Sequence, residues 1–411
     1  MSSQEYLDMM KNIQESILNF LGEEAKSEEN FLILEEIFNN SIISDNKYYL
    51  MSLLHLISKI GNNFHRFPNF FIKIERILLI FKEDIKKYFS NSEIFNFFKS
   101  NKRILLFLIE QQIMVMNEYI VKIITKTDKF IEANYPLYFR PEIQPFINEK
   151  WFPKYYPEEW ALRKNIWIEE LKKELPENFY EKRKEGQNDN QISELICKDM
   201  IEEFVTYVTR NGVSLNGKIQ PSIYETNSFL LKKQKKTNQN RAKQEDEGFS
   251  LIEYAVFFGS IQIFKYLIHE GVELSPSLWP LAIHGKNSEI IHFLEDNHVE
   301  LEDESYKQVF HESIKCHHND IANYILNNFL QNDEEDSQDT ISQSLKYYNF
   351  AFLKNKHISE SSFCNLCKYD YCALSDILLK DIDVNAKEII NILLIQFHII
   401  NIKLCLNHIF E

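Results

Sequence analysis

The stretch SLIEYAVFFGSIQIFKYLIHEGVEL runs from Ser250 to Leu274, and SLWPLAIHGKNSEIIHFLEDNHVEL runs from Ser277 to Leu301; the two superimpose at an offset of 27 residues. Ala255 falls on Ala282, Ile263 on Ile290, Phe264 on Ile291, Tyr266 on Phe293, Leu267 on Leu294, Val272 on Val299 and Leu274 on Leu301. Each copy reads as two short antiparallel helices. Ser250 and Ser277 stand where an N-cap hydroxyl would accept from the unpaired first-turn N–H groups. Pro280, three residues past the second of these serines, is tolerated in a first turn because its missing N–H would have been an orphan. The second helix begins near Ile261, carries apolar residues at 263, 264, 267 and 268 on one face, and stops at Gly271. A two-helix unit this small cannot bury its own apolar face, so copies must stack.

Working outward, a third copy lies 31 residues beyond the second. Ser313 takes the alanine slot, and Ile321, Ala322, Tyr324 and Ile325 take the apolar slots of the second helix. This copy holds SIKCHHNDIANYIL (313–326), whose Cys316, His317 and His318 resemble a metal cluster when taken alone. In register, Cys316 ends the first helix, His317 replaces the turn glycine and His318 follows it. The cluster then reads as a turn, with a mildly strained positive φ at His317. ESSFCNLCKYDYCALSDILLKDIDVN fits at an offset of 111, QISELICKDMIEEFVTYVTRNGVSL at 59 and SEIFNFFKSNKRILLFLIEQ at 158. The last places Ser92 at a cap and Leu105, Leu106 and Ile109 in apolar slots. TISQSLKYYNFAFLKN reads as a further pair in uncertain register, and the segment from Leu53 as another with a longer connection.

Two segments interrupt the pattern. Asn134 to Trp160 is rich in proline and aromatics and cannot be one continuous helix. Residues 231–248 are basic, then acidic, with no apolar face, and read as a flexible insertion. The expected organisation is a helical region over 1–133 with degenerate helix pairs, a connector and helix over 134–190, and a repeat array over 191–411.

At this point the residues resemble the ankyrin repeats. Ser250-Leu251-Ile252-Glu253, Ala255-Val256, Gly259-Ser260, Leu267-Ile268 and Gly271-Val272-Glu273 occupy the places of that family's start, alanines, turn, paired leucines and exit. More narrowly, IEYAVFFGSIQIFKYL and ESIKCHHNDIANYI are similar to the divergent ankyrin proteins expanded in trichomonad-type protists, most strongly over 249–330. The resemblance implies an all-α, ankyrin-type helix-pair solenoid with a helical N-terminal region, acting as a scaffold that binds protein partners on a concave face. Carried over by position, that face is Tyr254, Phe257, Phe258, Leu281, His284, Glu312, Lys315 and Cys316. The three adjacent aromatics are either interface anchors or rings buried against 231–248 or the N-terminal region.

Composition narrows the remaining classes. The 411 residues carry a net charge of −15, which opposes general affinity for nucleic acid or anionic lipid. No apolar run is long and continuous enough to span a bilayer, and the start of the chain has no secretory pattern. A cytoplasmic location is expected, with Lys232 to Lys243 supplying a nuclear-import alternative. The six cysteines are then expected as reduced thiols. Cys364, Cys367 and Cys372 have the spacing C-x2-C-x4-C, so a metal- or ligand-binding helical protein is the competing reading. The repeat register instead makes them small buried hydrophobes. Phosphate-loop, dinucleotide, zinc-protease and serine-hydrolase signatures are missing, so no catalytic residue and no cofactor is expected. The apolar ending from Ile389 marks a surface for self-association.

Overall fold

A computed structural model describes residues 1–22, 25–67, 69–127, 130, 133–147, 171, 173–220, 222–233, 248–301, 306–330, 334–358 and 362–381. The middle of the connector, nearly all of the charged insertion and the apolar ending lie outside the described residues. Those that are described form helices joined by turns and short 3-10 segments; no strand occurs among them beyond a single antiparallel bridge, Lys218 with Ser250. In the chain order used below, the helices are α1 (Ser3–Gly22), α2 (Ser27–Asn40), α3 (Lys47–Asn63), α4 (Phe70–Ile80), α5 (Lys82–Tyr88), α6 (Asn91–Phe98), α7 (Lys102–Glu110), α8 (Glu118–Lys126), α9 (Tyr135–Tyr138), α10 (Arg140–Ile143), α11 (Phe179–Glu185) and α12 (Gln191–Cys197). They continue as α13 (Ile201–Asn211), α14 (Ser228–Lys233), α15 (Leu251–Phe258), α16 (Ile261–His269), α17 (Leu278–Gly285), α18 (Ser288–Asp296), α19 (Lys307–Cys316), α20 (Asn319–Phe329), α21 (Gln338–Tyr347), α22 (Phe363–Lys368) and α23 (Cys372–Asp381). Within the connector, Pro136 and Pro141 sit in the first turns of α9 and α10, so the segment breaks into one-turn helices as its prolines require.

The chain divides into two compact units, residues 78–297 and residues 1–77 with 298–411. This grouping differs from the boundaries expected at 133 and 190. No composition shift marks the division, because the first 77 residues associate with a part of the chain more than two hundred residues away in sequence.

In the unit of residues 78–297, α12 pairs with α13, α15 with α16 and α17 with α18; α12 packs on α15, α15 on α17 and α13 on α16. Local chemistry sets the ends of these helices. Ser250 caps α15 in a reciprocal box, its Oγ accepting the Glu253 N–H at 3.3 Å while Glu253 Oε2 accepts the Ser250 N–H at 3.0 Å. Gly259, at φ +71, closes α15, and Gly271, at φ +85, follows α16. Ser277 departs from the expectation: it is already helical, because the preceding turn starts at Ser275 and Pro276, and its hydroxyl donates to Glu253 Oε1 at 2.9 Å instead of capping α17. Ser92 is likewise not the cap of α6. Ser90 is, because Glu93 stands three residues after it and completes the box. Leu105 and Leu106 are buried as their slots require, and Ile109 is half-buried.

One backbone turn recurs along the chain. Gly259, Lys286, His317 and Tyr348, spaced 27, 31 and 31 residues apart, all end a helix in the left-handed conformation. Asp199 and Asp370 adopt it at the corresponding places near α12 and α22. In five of these turns the next residue's N–H bonds a carbonyl five positions back: Met200 to Leu195, Ser260 to Ala255, His318 to Ser313, Asn349 to Ser344 and Tyr371 to Leu366. The alanine slot four residues before each turn residue holds Ala255, Ala282, Ser313 and Ser344, all buried. The two serines fit because each hydroxyl bonds its own helix, to Val309 O at 2.9 Å and Thr340 O at 2.8 Å.

The slot after the turn joins one pair to the preceding one. Ser260 Oγ donates to Ile196 O at 2.6 Å, Asn287 Nδ2 to Gly259 O at 3.0 Å and Asn349 Nδ2 to Ile314 O at 2.9 Å. Each acceptor is a carbonyl at a helix end, and those of Ile196 and Ile314 accept a turn N–H as well. Contact there is close: a Cβ built on Gly285 would lie 2.2 Å from Val256 O, and one on Gly259 2.5 Å from Gly285 O. Gly285→Ala therefore forces α15 and α17 apart. A drop in the thermal midpoint of several degrees is expected, read by circular dichroism; an unchanged midpoint would show that the helices can separate without loss.

In the unit of residues 1–77 and 298–411, α19 pairs with α20 and packs on α21, which packs on α22; α22 pairs with α23. The pair begun by α21 has no second α-helix, and short 3-10 segments, Phe350–Phe352 and Asn355–His357, take its place. The space is filled by α1, which lies against α2, α23 and both 3-10 segments. The neighbours of α3 include α19 and α23.

Candidate interaction face

The eight positions expected on a concave face divide between the units. In the unit of residues 78–297, Tyr254, Phe257, Leu281 and His284 are buried and only Phe258 is partly exposed. The aromatics meet one another: Tyr254 and Phe258 centroids lie 4.8 Å apart, Phe257 and Phe258 5.1 Å, Phe257 and His284 5.1 Å. Part of the cover over Phe257 and His284 is α14. Its Phe229 stacks on Phe257 at 5.8 Å and lies 4.4 Å from the His284 ring. The rings are buried, but the contact shown is with Phe229, which precedes the segment 231–248. Tyr254, Phe257, Leu281 and His284 are corrected accordingly from surface anchors to core residues. Tyr254 adds a polar link, with its hydroxyl 3.9 Å from Cys197 Sγ, and burial holds its phenol well above the usual range.

In the other unit, Glu312 and Lys315 form an ion pair one helical turn apart, both largely covered. Burial opposes the charge on Lys315, but the Glu312 carboxylate, by its charge and hydrogen bond, outweighs it and raises the amine above its ordinary value. Cys316 is fully buried, and desolvation pushes its thiol far up, so it is a protonated filler with no surface role. The turn reading of its neighbours holds. His317 has φ +57, and His318 packs its ring 5.1 Å from Phe64.

The cysteine motif does not supply three thiolates. Cys372 is disulfide-bonded, Cys367 is a buried thiol and the Cys364 side chain lies outside the described residues. A disulfide sulfur is not the anionic ligand that zinc requires, so the oxidised form of Cys372 offers no thiolate to a metal. Its disulfide departs from the expectation that all six cysteines are reduced.

One titratable group escaped the sequence reading. Lys102, the first residue of α7, has no exposed surface; its Nζ donates to Ala133 O at 3.0 Å and Ile223 O at 2.9 Å, with the Tyr138 ring face at 5.0 Å. Burial lowers its pKa from 10.5 to about 7, with Glu225 opposing that shift. Both carbonyls would lose their donor if it were replaced, and no solvent reaches it, so its role is to hold the loop carbonyls rather than to react. Between pH 10.5 and 7 the unfolded chain takes up a proton at this amine that the folded chain does not. The contribution of Lys102 to stability is therefore greatest at high pH and declines as pH falls toward 7. Chemical denaturation at pH 7 and pH 10 should show a gain at the higher pH that is smaller in Lys102→Met; an equal gain in both proteins would mean the amine is not perturbed.

Among the described residues, no helix is long and apolar enough to cross a membrane. Comparison with family models, with curated proteins and with solved structures finds no match to this chain.

Proposed function

We propose that this chain is a non-catalytic protein-interaction scaffold built on ankyrin-type helix pairs in solenoid succession, working in the cytoplasm or nucleus. The observation that carries the reading is the repeated turn at Gly259, Lys286, His317 and Tyr348, together with the polar residue after three of them, Ser260, Asn287 and Asn349, that bonds the preceding pair. A shared frame of this kind fixes backbone positions and leaves outward side chains to vary, which is how repeat arrays acquire partners. Phe257 and His284 of the expected face are already met by Phe229 of α14 in the unit of residues 78–297, so partners are taken elsewhere on the array or after α14 gives way.

The test is capture of the tagged chain with cross-linking in cells, followed by direct binding of the purified partner. Cross-links concentrated on residues 249–330 support the reading. A purified chain that carries stoichiometric zinc, or that turns over a small molecule and binds no protein, overturns it.

A further inference from the structure

The helices α1 and α2 enclose an open groove of about 520 Å³ on the outside of the unit to which they belong. Its α1 wall is Glu5, Met9 and Asn12, spaced as one helical face; its α2 wall is Glu36, Ile37 and Asn40, spaced likewise. Apolar surface continues from it along α2, where Leu32 and Ile33 are 64% and 47% exposed. Ile33 shares the face of Glu36, Ile37 and Asn40. Exposed methionine and aliphatic side chains contiguous with a groove are costly to leave in water unless something covers them.

Charge defines the occupant. Glu5 and Glu36 are exposed on these walls, and Asp8 and Glu29 are exposed on the same two helices, whereas Lys11, the one basic residue of α1 and α2, falls on another face of α1. Glu5 is held ionised by the Ser2 N–H, which donates to its carboxylate at 2.6 Å. Carboxylates along both sides of an apolar floor favour a ligand that is apolar on one face and cationic on its flanks, and disfavour an anionic lipid surface. The α1 wall spans seven residues, about 10 Å at the helical rise, which matches two turns of a bound helix with anchors at i and i+4. Met9 supplies an adaptable side chain for such an anchor.

We propose that the groove between α1 and α2 binds a short amphipathic helix of a partner protein, its apolar side against Met9 and Ile37 and its lysines or arginines facing Glu5 and Glu36. This rests on the scaffold reading only in taking the chain to bind proteins; it uses neither the repeats nor the face covered by α14.

The probe is a fluorescent helical peptide of about 14 residues, roughly four turns, with leucines at i, i+3, i+4 and i+7 and lysines elsewhere, titrated with the full chain. A counterpart carries glutamates in place of the lysines. The lysine peptide should bind with micromolar affinity that weakens as salt is raised. Binding should fall at least tenfold in Ile37→Ser. It should also fall in Glu36→Lys, an exposed position whose fold is monitored by thermal melting. The control Glu202→Lys with Glu203→Lys makes the same kind of charge change on exposed residues of α13 and should bind as the parent does. Equal affinity for the glutamate peptide, an equal loss in the control, or no binding at about 0.1 mM overturns the proposal. So does light scattering that shows a dimer dissolved by Ile37→Ser, because the occupant is then a second copy. Partners captured from cells by the array and retained by Glu36→Lys would leave the scaffold reading standing while the groove proposal fails.

Discussion

Phe257→Ala lowers the stability of the unit of residues 78–297 by about 3–5 kcal/mol, the usual cost of emptying a buried aromatic site. The ring is 5% exposed and is enclosed by Phe229, Phe258 and His284. Its removal leaves a cavity between α14, α15 and α17, and these helices cannot collapse into it freely because Gly259 and Gly285 already bring α15 and α17 into backbone contact. Urea titration followed by circular dichroism would read the loss as a lower midpoint with an unchanged slope. A midpoint that stays put while partner binding disappears would return Phe257 to the surface. Phe229→Ala should reproduce part of the effect, since Phe229 forms the lid of the same cluster.

Gln14→Leu is expected to cost at least about 2 kcal/mol, because it removes one partner from several buried polar groups while leaving the others in place. The Gln14 side chain is fully committed. Its Oε1 accepts the Phe350 N–H at 2.6 Å, which fixes the amide orientation, so Nε2 donates to Asn349 Oδ1 at 2.8 Å and to His317 Nδ1 at 3.2 Å. Asn349 in turn donates to Ile314 O and Asn319 Oδ1. Leucine has similar volume and no polar atoms, so its effect separates the network from simple packing. An exposed control, Gln4→Leu, should be nearly neutral. If Gln14→Leu is neutral as well, the network contributes nothing beyond its shape.

The same network makes this unit sensitive to acid. Burial pushes the His317 pKa from 6.5 down to about 3, with the Tyr347 carbonyl opposing the shift and Lys59 adding to it. The folded state therefore keeps the ring neutral while the unfolded chain protonates it. Stability from this residue is present above pH 6.5 and declines as pH falls toward 3.

The parts of the structure that the sequence makes plain are those set by neighbours in the chain. Ser250 with Glu253, Gly259 and Gly271 are local devices, and His317 declared its left-handed turn because alignment with Gly259 left no other place for it. The fate of the aromatics was not legible. Tyr254 and Phe257 look alike as surface anchors and as core, and only Phe229, from a segment with no counterpart in the copies, decides between them. The capping of α16 by Asp199, whose carboxylate accepts the Gln262 and Ile263 N–H groups at 3.0 Å, spans more than sixty residues. Gln14 and Asn349 meet across a separation of 335. A lone polar residue on an amphipathic helix carries no sign of such a partner. The 3-10 segments after α21 escaped for a related reason: a helix from the far end of the chain occupies the place that a second helix would have taken.

That last arrangement has a consequence for how the protein comes into being. Residues 78–297 are contiguous and can fold as they leave the ribosome, whereas Gln14 on α1 must wait for Asn349 and Phe350 before its side chain finds these partners. At about 5–20 residues synthesised per second, the wait is on the order of tens of seconds. For that interval α1 has only its near neighbours in the chain to pack on, such as α2 and Ser52, and maturation of this unit includes a long-range closure that carries a loop-entropy cost.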